Sequence, residues 1–337
     1  MTPKFGALAR DARVAAAALG VMPKGNAVDA LVAGIMAACA LSEGVFLGSL
    51  SAIIAGPGIG VRTLDGRSRQ PGMGVQRPRG FASSEEIPPA AHVAAPGLPA
   101  AAAALLATYG TLSLTRVCGQ ARELTQGPRA IVIDKFSRLG PAALAQPDLG
   151  GELIAAAGRL AGGVLTLEDL ANALPEIAVC SWDGKGTRVV ARPPWAWQDV
   201  DGAPACDVLV VADSRGVVAA AAFVSSESEP VVSIPALGLA APRGASPVRR
   251  GVRRVSPHDT LAARAPIAVA ATGASNDRSV DLALGAEGPA CEDAFASALA
   301  ALIETGSLSV QDVQGAKATM LVATQSARAA GVLTRRI

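Results

Sequence analysis

The chain has 337 residues, half of them hydrophobic and 3% aromatic, with 30 Lys and Arg against 28 Asp and Glu. That length buries an ample core, as one large domain or two modest ones. The near-neutral charge excludes the basic, aromatic-bearing face that nucleic acid requires, and two His with five scattered Cys and no CxxC exclude a zinc pattern.

The N-terminus carries Lys4, Arg10, Asp11 and Arg13 and lacks a clean apolar run, so it reads as a poor signal peptide. The longest apolar stretch, 27–41, contains Asp29 and is too short to span a bilayer. A soluble, cytoplasmic chain with reduced thiols is expected. Residues 25–42, "GNAVDALVAGIMAACALS", form the clearest helix: Val28, Leu31, Val32, Ile35, Met36 and Cys39 fall on one face, Asn26 is a good N-cap, and Asp29 stands three residues later. Cys39 is thereby a core residue.

Two short strands follow, 51–55 and 60–64, joined by "GPGI"; with no helix behind it, that turn is not a phosphate loop. Residues 66–92 read as loop. Helices are predicted over 96–109, 113–126, 150–161 and 166–174. Residues 181–205 read as an irregular connector. "CDVLVVADSRGVV" is a strand and turn leading into a second strand, a hairpin over 207–224. The basic run 243–254, "RGASPVRRGVRR", has no aromatic and reads as a solvated loop, with an anion site or a site for an acidic partner as the sharper, less favoured reading. A strand over 266–272 ends in the polar loop "GASNDR", and a last helix covers 290–304. Strands and helices segregate into layers and do not alternate as βαβ units.

Several segments resemble, in order, those of the gamma-glutamyltransferase family. "GNAVDALVAGIMAACALSEG" is similar to its N-terminal helix motif, "LDGRSRQPGM" to its R-E-x-A-P segment, and "VAAPGLPAAAAALLATYGTLSL" to its V-P-G…YG-x-L-P segment. "GGVLTLEDLANA" resembles G-G-x-L-T-x-E-D-L, "CDVLVVADSRGVV" the nucleophile strand, "VSPHDT" its M-S-P-T-I, and "ATGASNDRSV" its T-G-S-P-G-G-S-R-I. The resemblance implies an α+β fold, the four-layer αββα sandwich of N-terminal nucleophile hydrolases. It divides one domain, 1–337, into a shortened large-subunit-like part, 1–205, and a small-subunit-like part, 206–337. Members cut themselves before a threonine whose hydroxyl then attacks a gamma-glutamyl amide, with its own freed amine as base.

The departures are specific. The stretch between the E-D-L motif and the nucleophile is short here. The register puts Cys206 on the nucleophile and Asp207-Val208 on the Thr-His that follows it. Arg253 and Arg254 replace a serine pair, and Asn276 and Asp277 replace the glycine pair whose N–H groups form the oxyanion hole. Asp277 would place a carboxylate beside developing negative charge. Ser226 stands near a substrate-binding Asn, and the substrate-binding Asp pair has no counterpart.

Cys206 has two readings. As a nucleophile, its thiol would pass a proton to the new N-terminal amine, which titrates near pH 8. As a core residue, it is a small buried thiol at a strand start. Arg67 takes the place of the family's carboxylate-clamping Arg, a role its fork suits; otherwise it is one Arg of a solvated loop. His92 and His258 read as structural. Two functions follow. One is a compact hydrolase or acyltransferase acting through Cys206, after autoproteolysis, on an amide or acyl bond of a small carboxylate-bearing metabolite in a specialised pathway. The catalytic residue would be Cys206, with Arg67, Ser226 and Asn276 binding substrate. The other is a pseudoenzyme that uses the fold for binding or assembly. Neither requires a cofactor, metal, nucleic acid or membrane, and a homo-oligomer is compatible with both.

Overall fold

A computed structural model of the chain describes residues 5–76, 80–184, 188–195, 203–273, 279–288, 291–308, 319–326 and 331–336. Two antiparallel sheets dominate it. In the first, the strands run β1 (Phe5–Ala9), β6 (Cys206–Asp213), β7 (Val218–Val224), β2 (Leu50–Gly56), β3 (Gly60–Gly66) and β4 (Glu176–Val179). In the second, they run β13 (Gly331–Arg336), β12 (Thr319–Ser326), β11 (Ser279–Glu287), β10 (Ile267–Thr272) and β5 (Arg188–Ala191). A small ribbon of β8 (Pro230–Ile234) and β9 (Leu239–Pro242) lies apart. Helices α1 (Ala12–Val21), α2 (Ala27–Leu41), α3 (Leu98–Tyr109), α4 (Leu114–Val117), α5 (Gly119–Glu123), α6 (Pro128–Leu139), α7 (Pro147–Ala157) and α8 (Leu167–Asn172) precede β4, and α9 (Cys291–Thr305) follows β11.

The alternation of β6 shows how the layers form. Cys206, Val208, Val210 and Ala212 face Ile267, Val269, Ala283 and Leu321 of the second sheet. Leu209 and Val211 face the other way, into the cluster that holds α2. On the far side, Phe295, Ala298, Leu299 and Leu302 of α9 pack on Val190, Ala268 and Leu284. The result is helix, sheet, sheet, helix: an αββα sandwich with the 206–224 hairpin inside the first sheet.

The small side chains of the composition are what let these layers approach. A Cβ at Gly285 of β11 would overlap Val208 Cγ1 of β6, so the sheets touch where glycine leaves room.

Helix α2 is buried on all sides, not on one face; only its last residue is partly exposed. Asn26 caps it by accepting from the N–H groups of Val28 and Asp29, and the Asp29 carboxylate accepts from the Asn26 N–H in return. The predicted helix over 113–126 breaks at Cys118 into α4 and α5, and the connector over 181–205 contains β5. No helix among the described residues is long and apolar enough to cross a membrane.

Candidate active site

Strand β6 begins at Cys206, whose backbone pairs with Val224 on β7. Its side chain enters the space between the sheets and is 8% exposed. A hollow of about 10 Å³ opens beside it, walled by Ser49, Ser51, Pro204, Ala205, Phe223 and Arg264 among others. Pro204 also lines a cavity of about 650 Å³, together with Ala203, His92, Arg243, Ser246, Arg249 and Thr260. The segment 203–205 therefore stands between a ligand-sized cavity and the Cys206 hollow.

The carbonyl oxygen of Ala205 accepts two hydrogen bonds, from the Ser225 N–H at 2.8 Å and the Ser228 hydroxyl at 3.2 Å. The first prolongs the β6–β7 ladder by one residue. The second is a hydroxyl partner at the junction that the local sequence "DGAPACD" does not reveal.

The Cys206 thiol is held well above its ordinary pKa. The hydrogen bond it shares with Cys291 contributes most, followed by burial and then by the acidic neighbours Cys291, Glu292 and Asp207. All of these contributions favour the thiol over the thiolate. Cys291 opens α9, and its Sγ–H donates to Glu292 Oε2 at 3.3 Å. Glu292 Oε1 accepts from Arg264 Nη1 at 2.7 Å. Three residues from two distant segments thus converge on Cys206, and none carries a recognisable motif.

Arg67 lies deeper than a loop reading implies. Its Nε and Nη2 donate to the two oxygens of Asp65 at 3.0 and 2.8 Å, with both side chains 10% exposed. Its guanidinium carbon sits 4.8 Å from the centre of the Trp195 ring. Trp195 Nε1 in turn donates to Ser51 Oγ at 3.0 Å, and Ser51 lines the hollow. Arg67 reaches the Cys206 site through Trp195 and Ser51 and does not itself line the hollow.

Ser226 donates its N–H and hydroxyl to Asp207 Oδ2, at 2.9 and 3.0 Å, while the Ser225 hydroxyl donates to Oδ1 at 2.7 Å. Arg10 stands 3.7 Å from the same carboxylate. By strand alternation Asp207 points to the sheet face opposite Cys206, so Ser226 is tied to that side. Asn276 and Asp277 lie outside the described residues. His92 is flanked by Arg243 Nη1, 3.0 Å from its Nδ1; burial, and then the Arg243 charge, lower its pKa.

No protein-family model matches the chain, and no curated protein matches it in sequence. Solved structures do. Cephalosporin acylase from Bacillus halodurans superposes with a TM-score of 0.74 at 14% identity, over 99% of this chain and 94% of that one. The chain has the N-terminal nucleophile hydrolase fold. A structure of LmbA2991 superposes at 0.70 with 13% identity, over 100% and 97% of the two chains. Gamma-glutamyltranspeptidase from Pseudomonas nitroreducens matches over 58% of this chain and 72% of that one, at 16% identity with a TM-score of 0.48. The N-terminal nucleophile hydrolase sandwich accounts for the hairpin's place between β1 and β2: residues from both sides of position 206 share the same sheet.

Proposed function

We propose that this chain is a hydrolase or acyltransferase of the N-terminal nucleophile type, and that Cys206 is its nucleophile after autoproteolysis at Ala205–Cys206. The observation that carries the reading is the position of Cys206. It heads the inner strand β6, with its thiol in a hollow and the preceding carbonyl held by two donors.

The Cys206 Sγ attacks the Ala205 carbonyl carbon, and the Ser225 N–H and Ser228 hydroxyl stabilise the charge that develops on the oxygen. Collapse breaks the C–N bond and leaves a thioester, with the thiol proton passing to the departing Cys206 nitrogen. Water then hydrolyses the thioester, and the freed amine serves as base for later cycles. Release of 203–205 removes the partition between the hollow and the large cavity.

The substrate is a small molecule with an amide or acyl bond and a carboxylate. The cavity of about 650 Å³ is of metabolite size, and Arg243 and Arg249 offer it positive charge. Arg67 supports the site by holding Trp195 against Ser51. A non-catalytic binding role for the same cavity is the second reading, favoured by the near-complete burial of the thiol.

p-Nitrophenyl acetate tests the acyl-transfer reading: the purified protein should gain one acetyl group, mapped to Cys206 by peptide mass. Acetylation elsewhere with Cys206 unmodified would favour the binding role.

A further inference from the structure

Among the described residues that wall the Cys206 hollow, one buried side-chain nitrogen lacks a hydrogen-bond partner. Arg264 Nε is buried and has no hydrogen-bond partner among the described residues. A guanidinium N–H left in that condition calls for an explanation. Arg264 stands at the hollow that Cys206 lines, and its other end is fixed by Glu292. Glu292 is itself held from the second side by the Cys291 thiol.

We propose that Arg264 is a catalytic residue of the Cys206 site, its Nε–H donating to the oxyanion formed when Cys206 attacks an acyl carbonyl. This rests on the acyl-transfer reading above. The donors left on Arg264 favour an oxyanion over a substrate carboxylate: a carboxylate is best held by two parallel N–H groups, whereas Nη1 is already engaged by Glu292 and Nε is the guanidinium nitrogen left buried without a partner. A guanidinium already oriented by Glu292 needs no reorganisation as charge develops, which is the condition under which an oxyanion donor is most effective.

The step balances without a further reactant. The bond from Cys206 Sγ to the carbonyl carbon forms, and the carbonyl π pair moves to oxygen, opposite the Arg264 Nε–H. The pair returns as the bond to the leaving group breaks, and the thiol proton departs with that group. Glu292 and Cys291 are positioning residues that hold the guanidinium in place.

Two reagents separate this role from a structural one. Acetylation by p-nitrophenyl acetate passes through an oxyanion; alkylation by iodoacetamide does not. Arg264→Gln should slow acetylation of Cys206 by about 100-fold or more relative to its alkylation, a ratio in which any change in thiolate fraction cancels. If the loss of Arg264 unfolds the chain by leaving Glu292 unpaired, the double variant Arg264→Gln/Glu292→Gln removes both charges and carries the same expectation. Equal slowing of both reactions, or of neither, would overturn the role of Arg264 alone. If the unsubstituted protein is alkylated but not acetylated at Cys206, or reacts with neither reagent, the acyl-transfer reading fails and the role of Arg264 fails with it.

Discussion

Asp29 in α2 and Thr111, just past the end of α3, are joined by three hydrogen bonds: the Thr111 N–H to Oδ1 at 2.9 Å and to Oδ2 at 3.2 Å, and the Thr111 hydroxyl to Oδ2 at 2.7 Å. The same carboxylate accepts from the N–H groups of Leu112 and Asn26. Two of the segments that carry the family resemblance, "GNAVDA" and "YGTLSL", thus meet on one fully buried acid. Asp29→Ala would strand these donors in the interior. It should lower stability by about 3 kcal/mol or more, read as a lower urea midpoint.

The Arg67–Asp65 pair makes a different prediction. Arg67→Ala leaves a nearly buried carboxylate without its fork and takes the cation from beneath Trp195. A loss of about 3–5 kcal/mol is expected, and Arg67→Ala/Asp65→Ala should recover much of it. Thermal unfolding of the two variants checks this. If the single variant is as stable as the unsubstituted protein, Arg67 is not part of the scaffold.

Both findings bear on what the sequence made legible. The α2 helix, the hairpin predicted over 207–224 and β10 are readable because their apolar runs are long and their caps and turns are explicit. Strands β1, β4 and β5 have four or five residues, too few for a period to show, and they exist because neighbouring strands complete them. Helix α6, outside the predicted helices, carries usable signals: Pro128 in its first turn and Val132, Ile133 and Phe136 at helical spacing. At the site, Cys206 and Arg67 were legible through the resemblance alone. Arg264, Cys291 and Glu292 were not, because each has a bland local context and gains meaning only where β10 and α9 converge beside β6.

Alkaline pH should destabilise the fold. Burial pushes the Cys118 thiol to about 12, and also moves Cys39 upward. In the unfolded chain both ionise near pH 8.5. The folded state holds its protons longer, so this stability is fully present below about pH 8.5 and is lost as pH rises towards the folded values. The slope is about 1.4 kcal/mol per pH unit per thiol. Urea midpoints between about pH 9 and 11 should fall, and Cys118→Ala should flatten that fall.

The Ser228 hydroxyl is one of two donors on the Ala205 carbonyl. Ser228→Ala should slow cleavage at Ala205–Cys206 by about 10- to 100-fold, less than a full oxyanion donor, because the Ser225 N–H remains in place. Time courses of the fragment band on denaturing gels read this directly.

Intact-mass measurement of the purified protein tests the nucleophile assignment most directly. Two fragments, 1–205 and 206–337, should appear with time and be absent in Cys206→Ala. A chain that stays whole, with Cys206 unreactive to iodoacetamide under native conditions and alkylated only after unfolding, would contradict it and make Cys206 a core residue.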